Sequence, residues 1–171
     1  MNQRITKKLA RETNKPLNGR EVLDLVNGRA NVITYPELKK FTSIEGLLQP
    51  YGACYILYMK NKSSGHWCCL TQVGTLISFF DPYGGPIDSQ LKFTWHKIPY
   101  LTKLLSQAAF DGYKVTFNPY QFQKLRDNVK SCGRWCALRI VLKDMPLKDF
   151  KKLFMGANSD EVATIVTEML L

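Results

Sequence analysis

The spacing of apolar residues changes several times along this chain, and each change marks a candidate element. Residues 1–15, MNQRITKKLARETNK, show no consistent apolar face and read as a basic arm or a loosely attached helix. Asn18 is placed to cap a short helix over GREVLDLV that Asn27-Gly28 can stop, and PELKKF predicts a second, with Pro36 at its first position. SIEGLL adds a further turn or two before Pro50. From Gly52 the pattern becomes compact apolar runs rich in β-branched and aromatic residues. ACYILYM, HWCCLTQV and TLISFF predict strands, the last two joined by a hairpin at Val73-Gly74. DPYGGP follows with the chemistry of a type I turn. Apolar positions 98, 101, 104, 105, 108 and 109 predict a helix over IPYLTKLLSQAAF, YKVTFN predicts a strand, and FQKLRDNVK is a polar, basic loop reaching over the site that follows it. CGRWCALRIVLKDM predicts a largely buried helix, PLKDFKKLF a basic one, and DEVATIVTEMLL a last helix with a capping-box-like start at Asn158 and Glu161. The expected fold is α+β, a small central mixed sheet flanked by helices. One domain is expected over 1–171: a helical, basic region at 1–50, a core at 51–145 and C-terminal helices at 146–171.

Composition narrows this only in part. A chain of 171 residues buries a substantial core without staples. It has no apolar run long enough for a membrane helix, and its N-terminus lacks the apolar stretch of a signal peptide, so the expected setting is cytoplasm, nucleus or a virus particle, with no membrane partner. Five cysteines in a chain without an export signal argue against structural disulfides and for a reactive thiol. Cys68 and Cys69 would point to opposite faces of a strand. The formal charge of +10, concentrated near the N-terminus and over 124–152, fits either non-specific contact with nucleic acid or another polyanion, or a lysine-rich soluble surface.

Candidate chemistry centres on KSCGRWCALR. Cys132 at a helix start would have its thiolate favoured by unpaired N–H groups and the helix dipole, against the alternative of a small buried hydrophobe. Gly133 would let the backbone approach closely and offer N–H groups for an oxyanion hole. His66 opens a strand beside Trp67, which can shield the imidazole, whereas His96 is expected at the surface. Asp81 ends the next strand, so an antiparallel hairpin would bring His66 and Asp81 side by side, where the carboxylate can fix the imidazole or simply form the turn. A zinc site drawn from His66, Cys68, Cys69, Cys132 and Cys136 has no C-x-x-C pair, so no metal is expected.

With GHW, then FFDPYG, then a glutamine upstream of SCGRWC, residues 50–145 resemble the adenovirus-type (adenain-like) cysteine proteases and their relatives that process SUMO and NEDD8. The CGRW form is most similar to the proteases of virophages, polinton-like elements and large DNA viruses. The resemblance implies an adenain-like fold with Cys132 as nucleophile, His66 as base and Asp81 as third member, where the adenovirus proteins carry Glu. Trp67 matches the family's His-Trp pair. The oxyanion glutamine would be Gln123, with Gln121 as the alternative and Asn128 a distant third. It further implies a cysteine endopeptidase that trims viral capsid or core precursors after small residues such as Gly-X-Gly. Its narrow channel would be lined by Trp67 and Trp135. No cofactor would be required for the chemistry, while DNA, another polyanion or a peptide could activate it. Arg134 and Arg139 would belong to the basic face, Arg134 nearest to any polyanion bound beside the site, and Cys136 to the core. Two other functions stay open: a protease that deconjugates ubiquitin-like proteins, and a nonenzymatic basic domain that binds nucleic acid.

Overall fold

The computed structural model describes residues 3–170. Five strands form one sheet in sequence order: β1 (Asn31–Thr34), β2 (Ala53–Met59), β3 (Gly65–Val73), β4 (Leu76–Phe80) and β5 (Lys114–Phe117). The three inner strands are antiparallel and each edge strand runs parallel to its neighbour, so the sheet is mixed. Both of its faces are covered, which is why the inner strands read as apolar runs without alternation. Tyr55, Trp67, Cys69 and Phe80 pack against helix α5 (Cys132–Val141), Val22 of α2 (Gly19–Asp24) and Phe150 of α6 (Leu147–Phe154). On the other face, Cys54, Ile56, Cys68, Leu70 and Phe79 meet α3 (Ile44–Leu48) and the Leu101, Leu104 and Leu105 stripe of α4 (Tyr100–Phe110). Cys68 and Cys69 do face opposite ways.

Local signals were realised where their partners are close in sequence. Asn18 and Glu21 form a reciprocal capping box at the head of α2, and Asn27 and Gly28, both at positive φ, end that region. PELKKF is helical but of the tighter 3-10 kind, over Tyr35–Lys40. The hairpin turn sits one residue later than expected: Val73 pairs with Leu76, leaving Gly74-Thr75 as the two turn residues, with Gly74 at φ +57°. Strand β1 has no sequence signature, because four half-buried residues at a sheet edge carry no periodic signal of their own.

Two tertiary contacts change the expected picture. Helix α1 (Gln3–Thr13) is anchored at its C-terminal end. Thr13 Oγ1 and Thr164 Oγ1 of α7 (Ser159–Leu170) are 3.0 Å apart in a buried hydrogen bond, and the Lys130 N–H donates to the Thr13 carbonyl. The 122–130 stretch is not purely polar either: Phe122 inserts among Phe80, Trp135 and Phe150 at centroid distances of 5.3–5.4 Å, and so pins the loop to the core. Among the described residues no helix is long and apolar enough to cross a membrane.

Candidate active site

Cys132 is the first residue of α5, at the end of the helix where backbone N–H groups lack intrahelical partners. The helix lies so close to α2 that a Cβ at Gly133 would stand 2.8 Å from Val22 Cγ1 and 3.2 Å from Trp67 Cδ1. His66 reaches the same point from β3. In the antiparallel β3–β4 pair Cys69 is opposite Phe80, so the strands' outer ends, and with them His66 and Asp81, lie together. His66 Nε2 is 2.7 Å from Asp81 Oδ1, both side chains buried, which leaves Nδ1 to face the Cys132 thiol, close enough for the two groups to shift each other's titration.

Asp81 both forms the turn and partners the histidine. Its carbonyl accepts the Gly84 N–H at 2.7 Å, while Oδ1 also accepts the Tyr83 N–H (2.8 Å) and Oδ2 accepts Gln90 Nε2 (2.7 Å). Asn118 clamps the backbone of Asp81, accepting from its N–H at 2.9 Å and donating to its carbonyl at 3.0 Å. Thus the carboxylate has no freedom to turn away from the imidazole. Gln90 and Asn118 lie 9 and 37 residues downstream, and nothing in the sequence pattern points to them.

Electrostatics favour a charged pair. Burial alone would press the imidazole toward neutrality, yet Asp81 and Cys132 together raise His66 to about 9. Burial would likewise raise the thiol, but hydrogen bonding and charge attraction from His66, with the backbone N–H groups of Trp67 and Gly133, bring Cys132 below the ordinary thiol range. Asp81 is lowered against its own burial by His66, the Tyr83 N–H and Gln90. In contrast, Cys54, Cys68 and Cys136 are all pushed up by burial, which marks them as inert core thiols.

Several expected neighbours of the site sit elsewhere. The imidazole is covered by Tyr83, stacked at 4.4 Å and 7°, rather than by Trp67; the tyrosine of DPYG was the available signal. Trp67 faces the opposite way from His66, as successive strand residues do: it packs edge-on to Tyr55, donates Nε1 to the Leu17 carbonyl at 2.8 Å, and walls the cleft at Cys132 without covering the imidazole. Trp135 lines no channel: it projects from α5 into the core, wholly buried, and donates Nε1 to Asp160. Arg134 is 2% exposed and paired with Glu168 at 2.8 Å, and Arg139 is spent on the Leu142 and Lys143 carbonyls, so neither belongs to a basic face. His96 is half-buried beside Tyr35 and Trp95, with its Nε2 unpartnered, rather than at the surface.

Gln123 is buried. Its Nε2 donates to the Val129 carbonyl (3.1 Å) and the Tyr83 hydroxyl (3.3 Å), and its Oε1 has no partner. Gln121 is exposed and donates to the Gln123 carbonyl, and Asn128 is exposed on the same loop. A cleft of about 370 Å³ opens at Cys132, walled by Leu17, Trp67, Met59 and Lys130 and by the turn at 61–65. As for a metal, ligand atoms of His66, Cys68 and Asp81 lie within 4.8 Å of one another, but the His66–Asp81 hydrogen bond already joins two of them. Cys69 and Cys136 lie across the sheet from Cys68.

Fold and site together define a class: an α+β protein in which a thiol at the head of a helix is paired with a histidine that a buried aspartate holds. More particularly, the chain belongs to the family of uncharacterized protein V9 of Sputnik virophage. The two are 35% identical over an alignment of 166 residues that takes in 88% of this chain and 93% of V9. No family model matches. Among solved structures it is similar to the SUMO protease Ulp1 (13% identity, 100% of this chain and 86% of that one, TM-score 0.49). It is also similar to an ASFV protease (12%, 94% and 72%, TM-score 0.47) and to ChlaDub1 from Chlamydia trachomatis (14%, 99% and 77%, TM-score 0.41).

Proposed function

We propose that this chain is a cysteine endopeptidase working through a Cys132–His66–Asp81 triad. One observation carries the reading: a single buried imidazole is bonded to Asp81 at 2.7 Å, and the Cys132 thiol at the head of α5 lies close enough to it for each group to shift the other's titration. The Cys132 thiolate attacks the scissile carbonyl, and the charge passes to the carbonyl oxygen. Backbone N–H groups at the head of α5 and Gln123 Nε2 stabilise that oxyanion, the amide exchanging its long contact with the Tyr83 hydroxyl for the new partner. Imidazolium His66 gives its proton to the leaving amine, and the thioester forms. His66 then takes a proton from water, which attacks the acyl-enzyme and releases acid and thiolate. Asp81 stays ionised throughout and holds the ring.

The substrate reading rests on the sequence resemblance and on the virophage relative: capsid or core precursors cut after small residues such as Gly-X-Gly, in a virion or in the host cytoplasm or nucleus. The exposed Arg4, Lys7, Lys8 and Arg11 of α1 support DNA as an activator. A peptide-library digest with the purified protein tests the chemistry, with Cys132→Ala as the blank. Cleavage after small residues that vanishes in the variant supports the reading. Equal cleavage by both, or none by either, removes it. Reaction instead with a SUMO- or ubiquitin-type C-terminal electrophile would favour deconjugation, and rates indifferent to added DNA at low salt would dismiss the activator.

A further inference from the structure

A second buried carboxylate lies directly behind the nucleophile. Asp160, in the first turn of α7, is 1% exposed. Its Oδ1 accepts the Ser131 hydroxyl at 2.5 Å and Trp135 Nε1 at 2.9 Å, and its Oδ2 accepts the Lys124 N–H at 3.1 Å. The preceding residue continues the pattern, Ser159 Oγ donating to the Phe122 carbonyl at 3.3 Å. The start of α7 therefore grips two separate segments. One is 122–124, with Gln123 between its two anchored neighbours. The other is 131–135, with Cys132 between Ser131 and Trp135.

A buried charge without a partner is costly. Among the described residues no Lys, Arg or His pairs with Asp160. The charge is held instead by three donors and by the positive ends of two helices, its own and α5. A neutral residue could pack there more cheaply, but only a carboxylate offers acceptors on both oxygens and so takes all three donors at once.

We propose that Asp160 is a positioning residue: it holds the oxyanion-side segment and the head of the nucleophile's helix in one register. The proposal rests on the peptidase reading above. Ring packing of Phe122 on Trp135 and Phe150 also joins the two segments, but among the described residues no other side chain hydrogen-bonds to both, and a shift of about 1 Å between oxyanion donor and nucleophile can cost on the order of 100-fold in rate.

Asp160→Asn keeps the shape but turns an amide N–H toward one of the donors, so either Lys124 or Trp135 loses its acceptor. Two rates separate positioning from mere folding. One is hydrolysis of the best peptide from the library. The other is alkylation of Cys132 by iodoacetamide, which needs the thiolate but no oxyanion donor. The variant is expected to lose about 100-fold in kcat, with KM and the alkylation rate each within about threefold of wild type. Ser131→Ala, which removes one donor, should lose about tenfold in kcat in the same pattern. If Asp160→Asn does not unfold cooperatively, Ser131→Ala and Trp135→Phe carry the comparison. Unchanged hydrolysis, or alkylation that falls in step with hydrolysis, overturns the proposal for Asp160 alone. A wild-type chain that is alkylated but hydrolyses nothing defeats the peptidase reading, and the role of Asp160 with it.

Discussion

Gly133→Ala places one methyl group at the closest approach of α5 to α2. The new Cβ would lie 2.8 Å from Val22 Cγ1, 3.2 Å from Trp67 Cδ1 and 3.6 Å from Leu17 Cβ. Carbon atoms prefer separations of about 3.5–4.0 Å, so the first contact is inside the repulsive wall. Val22 is fully buried and β-branched, with little rotamer freedom, so the helices themselves must part. Overpacking of this kind costs about 1–3 kcal/mol. Replacing glycine by alanine within a helix returns up to about 1 kcal/mol, and less near a helix start. The expected net loss is about 1–2 kcal/mol, measurable by urea unfolding followed through tryptophan fluorescence. Val22→Ala removes the obstructing methyl groups at its own cost of roughly 1.6 kcal/mol in transfer energy plus a cavity contribution. Because each change relieves the other, the double variant should be at least about 1 kcal/mol more stable than the sum of the single effects. Cys132 alkylation, slowed in Gly133→Ala as the helix head moves, should recover in the double variant. A neutral Gly133→Ala, or energies that add within about 0.5 kcal/mol, would refute close approach as the reason for glycine here.

The pH dependence follows from the signs at the ion pair. Cys132 is lowered and His66 is raised to about 9, so the thiolate–imidazolium pair exists from below the ordinary thiol range up to about pH 9. Alkylation of Cys132 should therefore begin below that range, and peptide hydrolysis, which needs the imidazolium as acid, should fall as pH rises through about 9; an alkylation midpoint at about 8.5, that of a free thiol, would contradict the pairing. Tyr83→Ala removes the ring stacked on His66 and should lower kcat by about tenfold, whereas Tyr83→Phe keeps the stack and should stay near wild type, both read by steady-state hydrolysis. Arg134→Met breaks the buried link from α5 to Glu168 and Thr167. It should cost about 1–3 kcal/mol and speed hydrogen exchange in α1 and α7, yet leave binding to DNA unchanged because the guanidinium never faced solvent.

What the sequence by itself determined lies in short-range relations. The capping box of Asn18 and Glu21 needs only residues three apart, and the β2 and β3 runs need only their apolar content. The meeting of His66 and Asp81 needs only a tight antiparallel hairpin, whose register makes its outer ends neighbours. A thiol before glycine at the head of an apolar helix is legible for the same reason, since helix starts are local. The parallel pairing of β1, by contrast, depends on a partner strand more than twenty residues away. Charge type misled at Arg134, which looked like surface until α1 and α7 closed over it with Glu12 and Glu168. Gln90 and Asn118 around Asp81, and Asp160 behind Cys132, were decided by tertiary structure alone. A polar side chain's role is set by which donors and acceptors the fold brings within about 3 Å of it, and no periodicity along the chain encodes that distance.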